Sequence, residues 1–353
     1  GSGIPQAIAV INDPDPQKKH NLLSIRILIG KALMLLGGLS IGASIGREGP
    51  TVQIGASIMH AFYGRGSELT AENRRMLVMA GGAAGIAAAF NTPLAGVMFA
   101  IEELGKRYVF KAHTLTLLTV TLSGLVSLAL IGHYTYFGST PAFLNGIAEM
   151  HVPVLCGIIG GIMGGIFSRL MIKMTFRPPR VMAGLIWNRP LLFAGFCGVG
   201  VALLGLLTDN LVFGSGYEVT KTSLESSDST FVWYYGLAKM AATFLSSISG
   251  IPGGLFAPTL SVGAGLGDAL TLLFPTLAPH AAIVLLVMAA YLSGVTRSPL
   301  TSLVITMEMT SGLHLLLPLM VAVLVASGIS KLISREALYH ALAQRFMPVG
   351  GRA

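Results

Sequence analysis

The chain has 353 residues, 53% of them hydrophobic and only 11% charged, with a mean hydropathy of +0.74. A soluble domain carries about 25% charged residues, so this composition excludes a chain that is water-soluble throughout and reads as an integral membrane protein in contact with lipid. The net charge of +8 reads as basic loops beside a membrane, with no nucleic-acid partner, and continuous apolar runs in place of short alternating strands exclude a transmembrane barrel.

In chain order, the sequence opens on "GSGIP" (1–5), with no signal peptide; by composition alone this stretch is either native sequence or a linker scar. Runs long enough to span about 30 Å of hydrocarbon follow at 22–45, 114–133, 152–172, 190–208, 231–249 and 313–333. Other apolar segments are short or cut by Gly and Pro: 50–62, 76–90, 93–104, 258–275, 281–295 and 299–310. Broken segments in corresponding places point to a transport site. Cys156 and Cys197 lie in apolar runs and read as small core residues, not a disulfide framework.

Loop charge predicts orientation. The stretch 104–113 carries Lys106, Arg107 and Lys111, and 172–189 carries Lys173, Arg177, Arg180 and Arg189. Between them 134–150 has no Lys or Arg, and 209–230 has only Lys221 among Asp209, Glu218, Glu225 and Asp228. The positive-inside rule places the first two in the cytoplasm and the other two outside.

The chain also repeats itself. "GPTVQIGAS" (49–57) matches "APTLSVGAG" (257–265), and "NTPLAGVMFAIEE" (91–103) matches "RSPLTSLVITMEM" (297–309). Pro50 and Pro93 are 43 residues apart, Pro258 and Pro299 are 41 apart, and Glu102 aligns with Glu308. The expected fold class is therefore an all-α integral membrane protein of two structural repeats of tilted and broken helices, about 1–150 and 151–353. Letters alone do not show whether the second is inverted, which takes an odd number of crossings between them; inverted repeats are a common transporter plan.

Each matched motif places a Pro at a helix start: Gly49-Pro50, Thr92-Pro93, Ala257-Pro258 and Ser298-Pro299. A helix N-terminus offers free N–H groups and roughly half a positive charge, and a glycine there lets the backbone approach a ligand closely. The equivalent starts at 46–50 ("GREGP") and 253–258 ("GGLFAP") predict a paired anion site within the membrane. Glu48 lies at one of them, where an anion would compete with its carboxylate and protonation would release it. Arg47 reads as a cap for carbonyls, as a neutralising neighbour of Glu48, or as one half of a buried ion pair. Lys31 stands in an apolar run with no partner visible in the sequence.

"GSGIP", "GREGP" and "GGLFAP", together with "NTPLAGVMFAIEE" and "REALYHAL" (335–342), resemble the signature stretches of the CLC family of chloride channels and chloride/proton exchangers, in order and approximate spacing along the whole chain. The resemblance implies that "GSGIP" is native, that helices upstream of residue 1 are missing, and that no cytoplasmic regulatory domain follows. It assigns the gate to Glu48. It assigns chloride binding to the Ser2 and Tyr339 hydroxyls and to backbone amides of Leu255 and Phe256, with Gly49 at the facing helix start. Taken alone, Tyr339 would read as an interfacial aromatic. Hydroxyl and amide donors hold an anion weakly enough to release it. A serine at position 2 goes with chloride in preference to nitrate, and the intact "GSGIP" with chloride in preference to fluoride.

Glu102 and Glu103 end a short helix before the basic loop. By position they read as a solvated helix end, paired at i+4 with Lys106 or Arg107. By resemblance Glu103, with Glu102 beside it, is the inner proton-transfer station of an exchanger; channels have an apolar residue there. Glu308 reads as structural. The expected activity is chloride/proton antiport, and the alternative is a passive voltage- or pH-gated chloride channel. An enzyme is disfavoured: there is no H-E-x-x-H, no metal-spaced histidine pair among the eight histidines, and no cofactor or metal is expected. The resemblance further implies a homodimer, through 93–104, 114–133 and 299–333, in a bacterial inner membrane.

Overall fold

The computed structural model describes residues 1–13, 21–62, 70–105, 113–132, 135–140, 142–144, 146–226 and 231–347. The loop cations Lys106, Arg107 and Lys111, and Asp228, lie outside these residues. The described chain is helical, and its only strand-like pairing is one isolated bridge. The first half comprises α1 (Ile4–Ile11), α2 (Ile25–Ser40), α3 (Glu48–Phe62), α4 (Ala71–Phe90), α5 (Pro93–Phe99) and α6 (His113–Ile131). The second comprises α7 (His151–Phe176), α8 (Arg180–Asn188), α9 (Pro190–Leu207), α10 (Tyr217–Glu225), α11 (Tyr235–Ile248), α12 (Phe256–Leu273), α13 (His280–Thr296), α14 (Pro299–Thr310), α15 (Leu316–Ile333) and α16 (Leu338–Ala343).

Among the described residues, five helices have the length and composition to cross a membrane: Thr114–Ile131, His151–Phe176, Pro190–Leu207, Phe256–Leu273 and Leu313–Ile333. Two expected spans are shorter than their apolar runs. The run 22–45 yields only the 16-residue α2, and 231–249 yields the 14-residue α11, because each chain turns into a Gly-rich helix start just beyond. Conversely, 258–275 reads as broken but forms the 18-residue, largely buried α12. The sequence reading missed α1, whose eight residues are all buried.

The core is built around α13. Every residue of this helix is buried, as expected for a helix that is apolar on all sides. Helix α7 reaches it by close backbone approach. Gly160 and Gly164 press on Ala290 and Gly294 of α13, while Gly157 and Gly161 press on Ala322 and Ala326 of α15. These are two small-residue stripes on one helix, the packing device that works in lipid where apolar burial gives no drive.

The repeat is physical. α3, α4, α5 and α6 correspond to α12, α13, α14 and α15. Pro50 and Pro258 each occupy the third helical position, and Pro93 and Pro299 the first. The residues ending α4 and α13, Asn91 and Arg297, both adopt the left-handed conformation (φ 56° and 59°). A further match escaped the sequence reading. "GSGIP" (1–5) has a counterpart in "GSGYE" (214–218), and each leads into a short helix, α1 or α10. Lys31 and Lys239 are also equivalent, each 17 residues before the first residue of α3 or α12. Both are buried, and both tie down a GSG loop. Lys31 Nζ donates to the Gly1 carbonyl at 3.0 Å and to Gln53 Oε1. Lys239 Nζ donates to the carbonyls of Gly214 and Val212, each at 2.8 Å. Lys31 thus has the partners the sequence did not reveal.

The glycine stripe is testable. A Cβ on Gly164 would lie 2.7 Å from the backbone of Gly294 and Val295, and overpacking of this kind costs about 1–3 kcal/mol. Gly164→Val should lower the unfolding temperature of the detergent-solubilised protein. Gly195→Val on α9, where a Cβ meets nothing within 4 Å, should change it far less. Equal melting of the two variants would mean that the stripe does not seat α7.

Candidate functional site

The two Gly-rich helix starts meet face to face. Gly46 N donates to the Gly254 carbonyl at 2.8 Å, and Gly254 N donates back to the Gly46 carbonyl at 2.6 Å, an antiparallel bridge between the repeats. Glycine is required at both positions. A Cβ at residue 46 would lie 2.0 Å from Glu48 Oε2, and one at residue 254 would lie 2.8 Å from the same oxygen and 2.7 Å from Gly49 N. The Glu48 carboxylate is therefore folded into a cradle of bare backbone. It is fully buried, with Ala257 N donating to Oε2 at 3.5 Å and no hydrogen-bond partner for Oε1.

The predicted anion ligands gather on one side of this cradle. Ser2 comes from the loop before α1. Gly3 turns that loop at φ 114°, with its amide donating to Gln6 Oε1 at 2.9 Å. The loop lies so close to α3 that a Cβ on Gly49 would meet Ser2 Oγ at 2.2 Å. Tyr339, at the start of α16, stacks on Phe256 at 5.8 Å with the rings 7° from parallel. Leu255 and Phe256 begin α12, so their amides belong to the turn that has no intrahelical acceptors. Ser2 Oγ and Tyr339 Oη are buried and have no hydrogen-bond partner among the described residues, whereas buried hydroxyls are usually paired; both are able to donate to a bound anion.

Two cavities open beside the cradle. One of about 400 Å³ has Ser2, Leu255, Thr175, Trp187, Leu342 and Arg345 in its wall, the middle pair from or beside the loop predicted to be cytoplasmic. The other, of about 370 Å³, is lined by Leu39, Arg47, Tyr136, Ser215 and Tyr217, three of them from the loops predicted to be outside. The equivalent serines Ser2 and Ser215 thus line two different cavities. Arg47 is exposed to the second cavity, not buried in an ion pair. Its guanidinium donates to the Ala89 carbonyl at the end of α4 at 3.2 Å and lies 5.8 Å from the Tyr136 ring centroid. Arg47 thus caps a carbonyl, and its charge also acts on the neighbouring Glu48.

Glu102 and Glu103 stand on a π-turn, Ala100–Leu104, that extends α5 and is closed by Gly105 N donating to the Ala100 carbonyl at 2.8 Å. Glu102 is not a solvated helix end. Its carboxylate accepts from the amides of Leu300 (3.2 Å) and Thr301 (2.7 Å), capping α14. Glu308, its repeat-mate, accepts from Leu94 (3.1 Å) and Ala95 (2.7 Å), capping α5. Each acidic group satisfies orphan donors of the other repeat and lies at the positive end of that helix's dipole. The i+4 partners expected for Glu102 and Glu103, Lys106 and Arg107, fall outside the described residues. Glu103 is buried, accepts a hydrogen bond from Ser298 Oγ at Oε2, and lies 3.7 Å from His340 Nε2 through Oε1. The sequence named Ser298 only as part of a helix start and His340 only within "REALYHAL", neither as a partner of Glu103.

The profile of the family described as voltage gated chloride channel matches residues 1–331. The chain belongs to this family. Among similar curated members is the H(+)/Cl(-) exchange transporter ClcA of Yersinia pestis bv. Antiqua (strain Angola), 30% identical over 358 residues, which cover 98% of this chain and 72% of that one. Two solved structures of the family superpose well. A slow cyanobacterial Cl-/H+ antiporter gives a TM-score of 0.77 at 28% identity, covering 98% of this chain and 81% of its own. A CLC-type fluoride/proton antiporter gives 0.78 at 26% identity, covering 94% and 81%. The chain thus has the fold of voltage gated chloride channel family antiporters.

The reciprocal caps yield a paired test. Glu102→Ala and Glu308→Ala each remove two donations to a helix start, a loss of about 0.5–2 kcal/mol. Melting temperatures in detergent should fall by similar amounts for the two variants. A large drop for one and none for the other would break the equivalence.

Proposed function

We propose that this chain exchanges chloride for protons across the membrane that its helices span. The observation that carries the reading is the buried Glu48 carboxylate, held in a backbone cradle beside two cavities and two buried hydroxyls that have no partner among the described residues. Chloride entering from the Arg345 side accepts from Ser2 Oγ, Tyr339 Oη and the first-turn amides of Leu255 and Phe256. It competes with the Glu48 carboxylate for the same helix ends, Gly49 among them. Both are anions in a low-dielectric site, and both cannot occupy it without a large repulsion. Protonation of Glu48 removes the competitor and lets chloride pass towards the Arg47 cavity, which couples the chloride path to a proton in the wild type.

The buried Glu103 favours exchange over a passive channel, because it supplies an ionisable group on the inner side where a channel needs none. The relatives named H(+)/Cl(-) exchange transporter and Cl-/H+ antiporter support the same choice. Glu102, fixed by two amides, positions the π-turn, leaving Glu103 as the proton station. Ser2 in an intact "GSGIP" favours chloride as the anion over fluoride. A homodimer in a bacterial inner membrane is the assembly proposed. Its proposed faces are apolar residues of α5, α6, α14 and α15 left uncovered in the single chain, including Leu94, Leu122, Leu300 and Leu324.

Proteoliposomes with an imposed chloride gradient test the reading. Chloride flow should drive uphill proton movement in the wild type, and chloride flux with no proton movement would make the protein a passive channel. Glu48→Gln imitates the protonated gate and should keep chloride flux while removing coupled proton movement. Glu103→Gln should lower proton flux by roughly a hundredfold and leave chloride flux. Wild-type proton flux in the Glu103 variant would remove that residue from the path.

A further inference from the structure

Glu103 is only 1% exposed in its side chain, so a proton reaching it needs a carrier from the aqueous face. His340 Nε2 lies 3.7 Å from Glu103 Oε1 with a side chain that is 28% exposed, which makes it the half-wetted member of the pair. The imidazole titrates near neutrality in water, as a shuttle requires. The backbone sets its direction. His340 follows Tyr339 on α16, and the two side chains serve different carboxylates: Tyr339 stacks on Phe256 over the anion cradle, while His340 turns to Glu103. On the same segment Leu342 and Arg345 line the anion cavity, and His340 does not.

We propose that His340 is the proton-transfer residue that loads and unloads Glu103 from the cytoplasmic face. The proposal rests on the antiport reading. The imidazolium gives its Nε2 proton to Glu103 Oε1, leaving a neutral imidazole and a carboxylic acid. The ring, left with its proton on Nδ1, then turns to bring the bare Nε2 to the aqueous side, takes a proton there from hydronium, and turns back to Glu103. The 3.7 Å separation is closed by a small side-chain adjustment or one bridging water, the usual state of such a pair before transfer. Ser298 Oγ holds the other carboxylate oxygen, so Oε1 is the one directed at the histidine. The charged and titratable groups near the pair are Arg297, Glu336 and Tyr339. Arg297 is itself fixed by donating to the carbonyls of Ser334 (3.0 Å) and Arg335 (3.2 Å). The Glu336 side chain accepts from Gln344 at 3.2 Å.

The test is proton and chloride flux in proteoliposomes of the full chain carrying His340→Ala or His340→Gln, the second keeping size and polarity without a titratable group. In both, chloride-driven proton uptake should fall by roughly tenfold or more while chloride flux stays within about twofold, so that the chloride-to-proton ratio rises. Imidazole added to the buffer should restore part of the proton flux in His340→Ala. Wild-type proton flux and ratio in His340→Gln would overturn the proposal. So would a parallel loss of both fluxes without imidazole rescue, which marks a packing role for α16. Absence of proton uptake in the wild type would instead defeat the antiport reading itself.

Discussion

Two backbone hydrogen bonds between Gly46 and Gly254 fix the geometry on which the site depends. They join the starts of α3 and α12 so closely that no side chain fits between them, and the only group admitted is the Glu48 carboxylate. In lipid an unsatisfied amide costs several kcal/mol, so helix starts buried at membrane depth demand acceptors. Glu48 supplies one, and an anion from the cavity can supply it in turn. In the proposed mechanism the same deficit of acceptors that would destabilise a broken helix favours negative charge at this point. The site needs no lysine or arginine that would bind the anion too tightly to let it go.

Supports around this centre come in pairs. Lys31 and Lys239 fasten the two GSG loops, and Glu102 and Glu308 cap each other's helices. Asn91 and Arg297 turn the chain through the left-handed region at equivalent points. Side chains depart from this symmetry. Glu48 aligns with Phe256, so one repeat places a carboxylate at the meeting of the helix starts and the other the ring on which Tyr339 stacks. Ser298 aligns with Thr92, yet only the serine meets a carboxylate in this arrangement, that of Glu103.

The helix starts at the centre of the candidate site were legible in the letters. Gly and Pro mark helix starts by removing a Cβ or an N–H, and those are local properties visible in a few residues, as in "GREGP" and "GGLFAP". Periodic matches of Pro50 with Pro258 and of Glu102 with Glu308 exposed the repeat for the same reason. What stayed hidden depends on distant partners. Glu102 looks like a solvated end until α14, about 200 residues later, is brought to it. Helix α1 is too short to register as a span, and α10 carries enough polar residues to hide that "GSGYE" repeats "GSGIP". Lys31 and Lys239 each cap carbonyls of loops remote in sequence, which composition cannot show.

The reciprocal capping also has a consequence in time. Helix α5 receives its cap from Glu308, which lies 214 residues further along the chain. At a synthesis rate of roughly 5–20 residues per second, α5 waits on the order of 10–40 s on the ribosome before that carboxylate exists. Through this interval its start must be sheltered by the insertion machinery, by lipid headgroups or by water. The first repeat therefore cannot settle as an independent half. Its last backbone bonds close only as the second repeat arrives, so a nascent chain stalled before α14 leaves a recognisable defect, an uncapped helix start within the bilayer, by which membrane quality control can distinguish an unfinished molecule from a complete one.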